Sequence, residues 1–194
     1  MLEKESSSQD YKEWAGCQVG ETNPAHDFSA SLAKSHSASD LPIWEEVYRK
    51  AFPNFGTMQD CRQDGDHQRA GIDRVVIETN GVIHRIDEKA RFKRYNDILL
   101  EYWSDEARRV KGWVCKPLMA DYIAYAILPS KIAYLLPVPQ LQGAWIKHSE
   151  DWKKTHRCTR ARNNGYVTVG VAVPVTTLFR AIGECLRIRF SACP

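Results

Sequence analysis

The chain has 194 residues, 43% of them apolar and 26% charged, with a formal net charge of +3, which suits one soluble globular domain and neither demands nor excludes nucleic acid. Cys17, Cys61, Cys115, Cys158, Cys185 and Cys193 show no C-x₂-C or Cys–His pairing, which argues against structural zinc and favours free thiols in a reducing compartment. The first twenty residues lack the apolar core of a signal peptide, and the best apolar run, Tyr122–Leu128, is a strand's length, so a soluble cytoplasmic protein without a membrane partner is expected.

Residues 1–39 are polar and Ser-rich and read as a flexible arm, with at most a weak helix around Tyr11–Trp14. The remainder, 40–194, reads as a single domain. Asp40 or Ser39 caps a helix running to Phe52, with Pro42 in its first turn, and Trp44, Val47, Tyr48 and Ala51 recur at helical spacing on its buried side. Glu45 and Glu46 fall on other faces of that helix. Residues 53–70 read as a loop from their Pro, Gly and Asp content, with Asp60, Asp64 and Asp66 serving turns.

The runs 71–79 and 82–92 are strands, and Asn80-Gly81 between them is the strongest short-range signal for a hairpin. A third strand covers Asp97–Tyr102, with Glu101 inside an otherwise apolar run. After a polar loop, 121–138 reads as a second hairpin across Pro129-Ser130, with Tyr122, Tyr125 and Tyr134 partly exposed. Residues 139–158 read as a helix whose tryptophans belong to the core. Cations cluster from Lys147 to Arg162, including Lys153, Lys154, Arg157 and Arg160, a composition suited to a phosphate backbone. A buried strand at 165–173 and a closing helix from Pro174 to Phe190 complete an α/β arrangement, a mixed β-sheet flanked by helices.

The first hairpin carries the chemistry. Asp73 lies on one strand and Asp87-Glu88-Lys89 on its partner. Converging carboxylates repel unless a cation lies between them, and hard oxygen ligands suit Mg²⁺ or Mn²⁺. Lys89 shares the face of Asp87, since side chains alternate along a strand. With a strict two-residue loop Asp73 faces Glu88; a three-residue loop or a bulge puts it opposite Asp87. Ile86, Ala90 and Phe92 share the parity of Glu88 and mark that face as core, so Asp87 and Lys89 are expected to face the site.

Asp73…Asp87-X-Lys89 resembles the D…(D/E)XK signature of the PD-(D/E)XK nuclease superfamily, with Ile72 where the naming proline stands and Glu88 where an apolar residue is commoner. The order of elements over roughly 40–185 is similar too. The resemblance implies a restriction-endonuclease-like core and a Mg²⁺- or Mn²⁺-dependent deoxyribonuclease of phage or mobile-element type. Asp73, Asp87 and the backbone carbonyl of Glu88 would hold the metal, and Lys89 would position the water or neutralise charge on the phosphate. It further implies that Glu45 or Glu46 can complete the metal site and that Glu101 can touch it. Gln68, Arg69, Arg91, Lys93, Lys147, Lys153, Lys154, Arg157, Arg160 and Arg162 would contact nucleic acid, DNA ahead of RNA, and a homodimer is compatible with this. The alternative is a catalytically silent nucleic-acid-binding or protein-interaction module on the same fold.

Overall fold

A computed structural model describes residues 42–183 and 185–191. The arm expected over 1–39 and the cap at Asp40 or Ser39 lie outside them. Helix α1 (Ile43–Ala51) opens the described chain, followed by strand β1 (Phe55–Asp60), short helix α2 (Gly65–Ala70) and the hairpin β2 (Arg74–Glu78) and β3 (Ile83–Arg91). Strands β4 (Asp97–Asp105), β5 (Val110–Lys111), β6 (Tyr122–Ile127) and β7 (Ile132–Pro137) lead to helix α3 (Val138–Thr155). Strands β8 (Arg157–Asn163) and β9 (Tyr166–Pro174), helix α4 (Val175–Ile182) and strand β10 (Leu186–Arg189) follow.

The strands form two sheets. One is six-stranded in the order β1-β2-β3-β6-β7-β10, and the other is four-stranded in the order β5-β4-β9-β8. The first is mixed, because β3 and β6 run parallel while its other neighbours are antiparallel. Strand β6 explains why it takes the centre. Its sequence YIAYAI is uncharged, with Ala124 and Ala126 turned to one core and Ile123, Tyr125 and Ile127 to another. The small alanines leave room for Trp44, Val47 and Tyr48 of α1 on their side. The larger side chains meet Ile98 and Leu100 of β4, Val171 and Val173 of β9, and Leu141, Trp145 and Trp152 of α3.

Several expectations need correction. The third strand does not extend the hairpin's sheet; β4 pairs with β9 and β5 instead. Asp97 and Glu101 would be buried without water beside β3, and the uncharged β6 occupies that place at lower desolvation cost. The 53–70 segment is not a loop but β1 and α2. An edge strand needs only one partner, so the mostly exposed FGTMQD carries little hydrophobic period. Residues 157–163, read partly as helix, form edge strand β8 for the same reason. The closing helix stops at Gly183, whose φ of +81° suits glycine alone, and the alternating Leu-Arg-Ile-Arg beyond it pairs with β7. Tyr125 and Tyr134 are buried rather than partly exposed. Cys61, Cys115 and Cys185 are free thiols, as expected, but Cys158 is disulfide-bonded. No helix among the described residues is long and apolar enough to cross a membrane.

Candidate functional site

The turn of the first hairpin sets everything that follows. Arg74 faces Ile86 and Ile77 faces Ile83, and Glu78 N–H donates to the Val82 carbonyl at 2.9 Å, so the loop is Thr79-Asn80-Gly81. Gly81 takes φ +87° and donates its N–H to Glu78, while the Asn80 side chain accepts from Val82 N–H. A three-residue loop of this kind keeps the Asn-Gly signal and shifts the register by one from the two-residue form. The same register, extended one step, sets Asp73 opposite Asp87.

Asp73 is held tightly. Gly71 ends α2 in the left-handed region at φ +71°, Ile72 is buried, and the Asp73 main chain bonds both neighbours, donating to Ile86 O and accepting from Cys61 N–H, each at 2.9 Å. Its Oδ2 accepts the Glu88 N–H at 2.8 Å. Asp87 is 4% exposed, and its Oδ1 accepts a hydrogen bond from the Lys89 ammonium. Burial pushes the Asp87 carboxyl up to about 6; Lys89 works against this rise and Asp73 adds to it. Partial burial opposes the Lys89 ammonium, yet Asp87, Asp73 and Glu101 together hold it above its ordinary value. Glu101 reaches the group from β4, and burial pushes it to about 6 as well, with Lys89 and Lys116 moderating the rise. One face therefore collects Asp73, Asp87, Lys89 and Glu101.

The opposite face of β3 holds Glu88, whose side chain is fully buried. Arg74 Nε lies 3.0 Å from Glu88 Oε1, Arg74 Nη2 3.3 Å from Oε2, and the Tyr48 hydroxyl donates to Oε1 at 2.7 Å. Burial pushes the Glu88 carboxyl up and Arg74 and Tyr48 pull it part of the way back. Glu88 thus ties α1 to the hairpin, and only its backbone faces the site chemistry. Tyr48 was expected on the buried side of its helix, but its bond to Glu88 and the part of Arg74 were not, although the parity signal was available: Arg74 and Glu88 occupy core positions of opposite charge on paired strands. Glu88→Ala is expected to lower stability by ~3–5 kcal/mol in urea denaturation, because Arg74 would be left buried without its main partner. A loss under about 1 kcal/mol would show that water already reaches the pair.

The remaining expected residues are dispersed. Glu45 pairs with Arg49 on the exposed side of α1, and Glu46 holds Lys50 and the Ser191 N–H and hydroxyl, so neither joins the carboxylates. The reason is that α1 packs on the Glu88 face of the sheet. Gln68 bonds the Arg62 carbonyl and Arg69 pairs with Asp66, both on exposed α2. Arg91 stacks over Tyr95 and donates to the Tyr125 hydroxyl at 2.9 Å, a packed cation rather than an open one, while Lys93 is exposed. Lys153 pairs with Glu150, Arg157 with Asp97 and Arg160 with Glu106. Lys147, Lys154 and Arg162 are exposed. Among the described residues, no group of three or more His, Cys, Asp or Glu side chains gathers as a ready-made metal cluster.

No protein-family model matches the chain, and no curated protein sequence or solved structure is significantly similar to it.

Proposed function

We propose that the face formed by Asp73, Asp87, Lys89 and Glu101 is the centre of a divalent-cation-dependent phosphodiesterase acting on DNA. The observation that carries this reading is the three-residue loop, which sets Asp73 opposite Asp87 with Lys89 bonded to the latter. A half-buried Asp73 and a buried Asp87 opposite it, the latter raised to about 6, form an anionic pair short of counter-charge. Oxygen donors of this kind fit Mg²⁺ or Mn²⁺, with the Glu88 carbonyl as a third ligand and other positions left to water and phosphate. A bound cation would supply polarisation of the scissile phosphate and acidify a water molecule.

The chain's own groups then divide the remaining work. Lys89, held cationic, donates a hydrogen bond and offsets charge growing on the phosphate; it is unsuited to act as a base. Glu101, raised to about 6, is suited to accept the proton of the attacking water near neutral pH. The test is incubation of the purified protein with plasmid, linear and single-stranded DNA in Mg²⁺, Mn²⁺ or EDTA. Products in either metal and none in chelator are expected, and intact DNA in every condition would remove the enzymatic reading. That no three His, Cys, Asp or Glu side chains among the described residues gather as a ready-made metal cluster favours one alternative, a binding module without turnover, which would bind DNA in that experiment and leave it uncut.

For the DNA path, the exposed Lys147, Lys154 and Arg162 suit backbone phosphates better than Lys153, Arg157 and Arg160, which already have acidic partners. Neutralising the first three together is expected to weaken binding equally across sequences. Each phosphate contact contributes about 0.9 to the slope of log affinity against log salt, so the slope should flatten by up to about 3. An unchanged slope would move the DNA away from α3 and β8.

A further inference from the structure

The segment between β5 and β6, residues 112–121, runs from one side of the candidate site to the other. At its start, Val114 N–H donates to the Glu101 carbonyl at 3.2 Å, and Gly112 packs so closely that any Cβ there would collide with the Glu101 backbone. At its far end, Met119 N–H donates to the Ala70 carbonyl at 2.9 Å. Leu118 there fills the space beside Gly71, where a Cβ would come within 2.6 Å of its Cδ2. Gly71 lies two residues before Asp73. Between these anchors, Gln142 of α3 donates to the Lys116 carbonyl at 2.8 Å and Lys116 N–H bonds Gly112 O at 3.1 Å, which fixes the backbone of Lys116. The segment is therefore a strap pinned beside Glu101 and beside Asp73.

Lys116 is the cation of this strap. It lies within electrostatic reach of Glu101 and, among the described residues, its ammonium makes no ion pair. We propose that Lys116, carried by the strap pinned beside Glu101 and Gly71, is a phosphate-binding, substrate-positioning residue of this site. The inference rests on the phosphodiesterase reading. Charge balance favours it. Three carboxylates and Lys89 leave the face doubly negative at full ionisation, a divalent cation brings it to neutral, and a phosphodiester would then enter without a compensating charge. Lys116 supplies that charge, and its anchored backbone limits the ordering that binding requires.

The test compares wild type with Lys116→Ala and Lys116→Arg. In Mg²⁺, Lys116→Ala is expected to raise KM for DNA by about tenfold while kcat stays within about threefold, the split that marks lost binding rather than lost chemistry. Its salt slope should fall by about 0.9, and Lys116→Arg should recover most of the affinity. Affinity for a labelled oligonucleotide in Ca²⁺ gives a second measurement that needs no turnover. Weaker binding by Lys116→Ala supports the contact even if wild type cuts nothing, a result that overturns the phosphodiesterase reading alone. Unchanged affinity and slope, or a kcat collapse at constant KM that arginine does not rescue, would overturn the assignment of Lys116.

Discussion

Asp87→Asn is expected to abolish metal-dependent DNA cleavage and, in chelator at pH 7, to leave a protein more stable than the wild type. The loss of cleavage follows because an amide cannot replace an anionic ligand to a hard cation. The gain in stability follows from proton linkage. Asp87 has its carboxyl raised from 3.8 to about 6 in the folded chain, so the native protein keeps a proton that the unfolded chain releases. Its contribution is thus fully present below about pH 4, is lost as pH rises through about 6, and stays lost above. The gap between 3.8 and about 6 amounts to up to ~3 kcal/mol at pH 7. Thermal unfolding at pH 4 and pH 7 in EDTA should show Asp87→Asn ahead of wild type at the higher pH only. Added Mg²⁺ should then raise the melting temperature of wild type and not of the variant. A variant that still cleaves, or one whose stability relative to wild type does not change with pH, contradicts the assignment.

Lys89→Ala is expected to lower kcat by roughly 10²-fold or more, the usual consequence of removing a charge that acts mainly in the transition state. Metal affinity should hold or tighten slightly, since a like charge has been taken from beside the cation. Because three acids hold Lys89 protonated, the alkaline limb of the wild-type pH profile should not report its deprotonation. Normal turnover with weaker DNA binding would recast Lys89 as a phosphate contact.

The parts of this molecule legible in the sequence are those governed by short-range rules. Asn80-Gly81 announced the hairpin, and the shared parity of Ile86 and Glu88 separated the core face from the face of Asp87 and Lys89 before any register was known. Helix α1 and the pairing of β6 with β7 followed from period and from Pro129-Ser130 in the same way. What stayed hidden depends on partners distant in the chain. Strand β4 looks like a neighbour of β3 by order, and only competition with the uncharged β6 sends it to the second sheet. Edge strands β1 and β8 bury too little on either face to leave a clear alternation, and the alternating Leu-Arg-Ile-Arg of β10 is only four residues long.

The same distinction runs through the candidate site. Asp73, Asp87 and Lys89 sit within one supersecondary unit and could be assembled from local spacing. Glu101 joins them from the other sheet, as its position in an apolar run suggested. Glu45 and Glu46 do not, because α1 packs against the Glu88 face and offers Tyr48 there instead. Lys116 carried no local signal, since its place depends on bonds to Ala70, Glu101 and Gln142 at once through its strap. The cationic run overstated the open charge of its region because its acids, Asp97 and Glu106, come from β4 and the turn after it.

The phosphodiesterase reading of this face depends on a divalent cation lying between Asp73 and Asp87, which can be measured without knowing the substrate. Mn²⁺ titration at pH 8, followed by electron paramagnetic resonance, should show Mn²⁺ bound by the wild type, displaced by excess Mg²⁺ and lost in both Asp73→Ala and Asp87→Asn. Wild-type protein that leaves Mn²⁺ free in solution, or either variant binding it as tightly as the wild type, would contradict the carboxylate pair as a metal site.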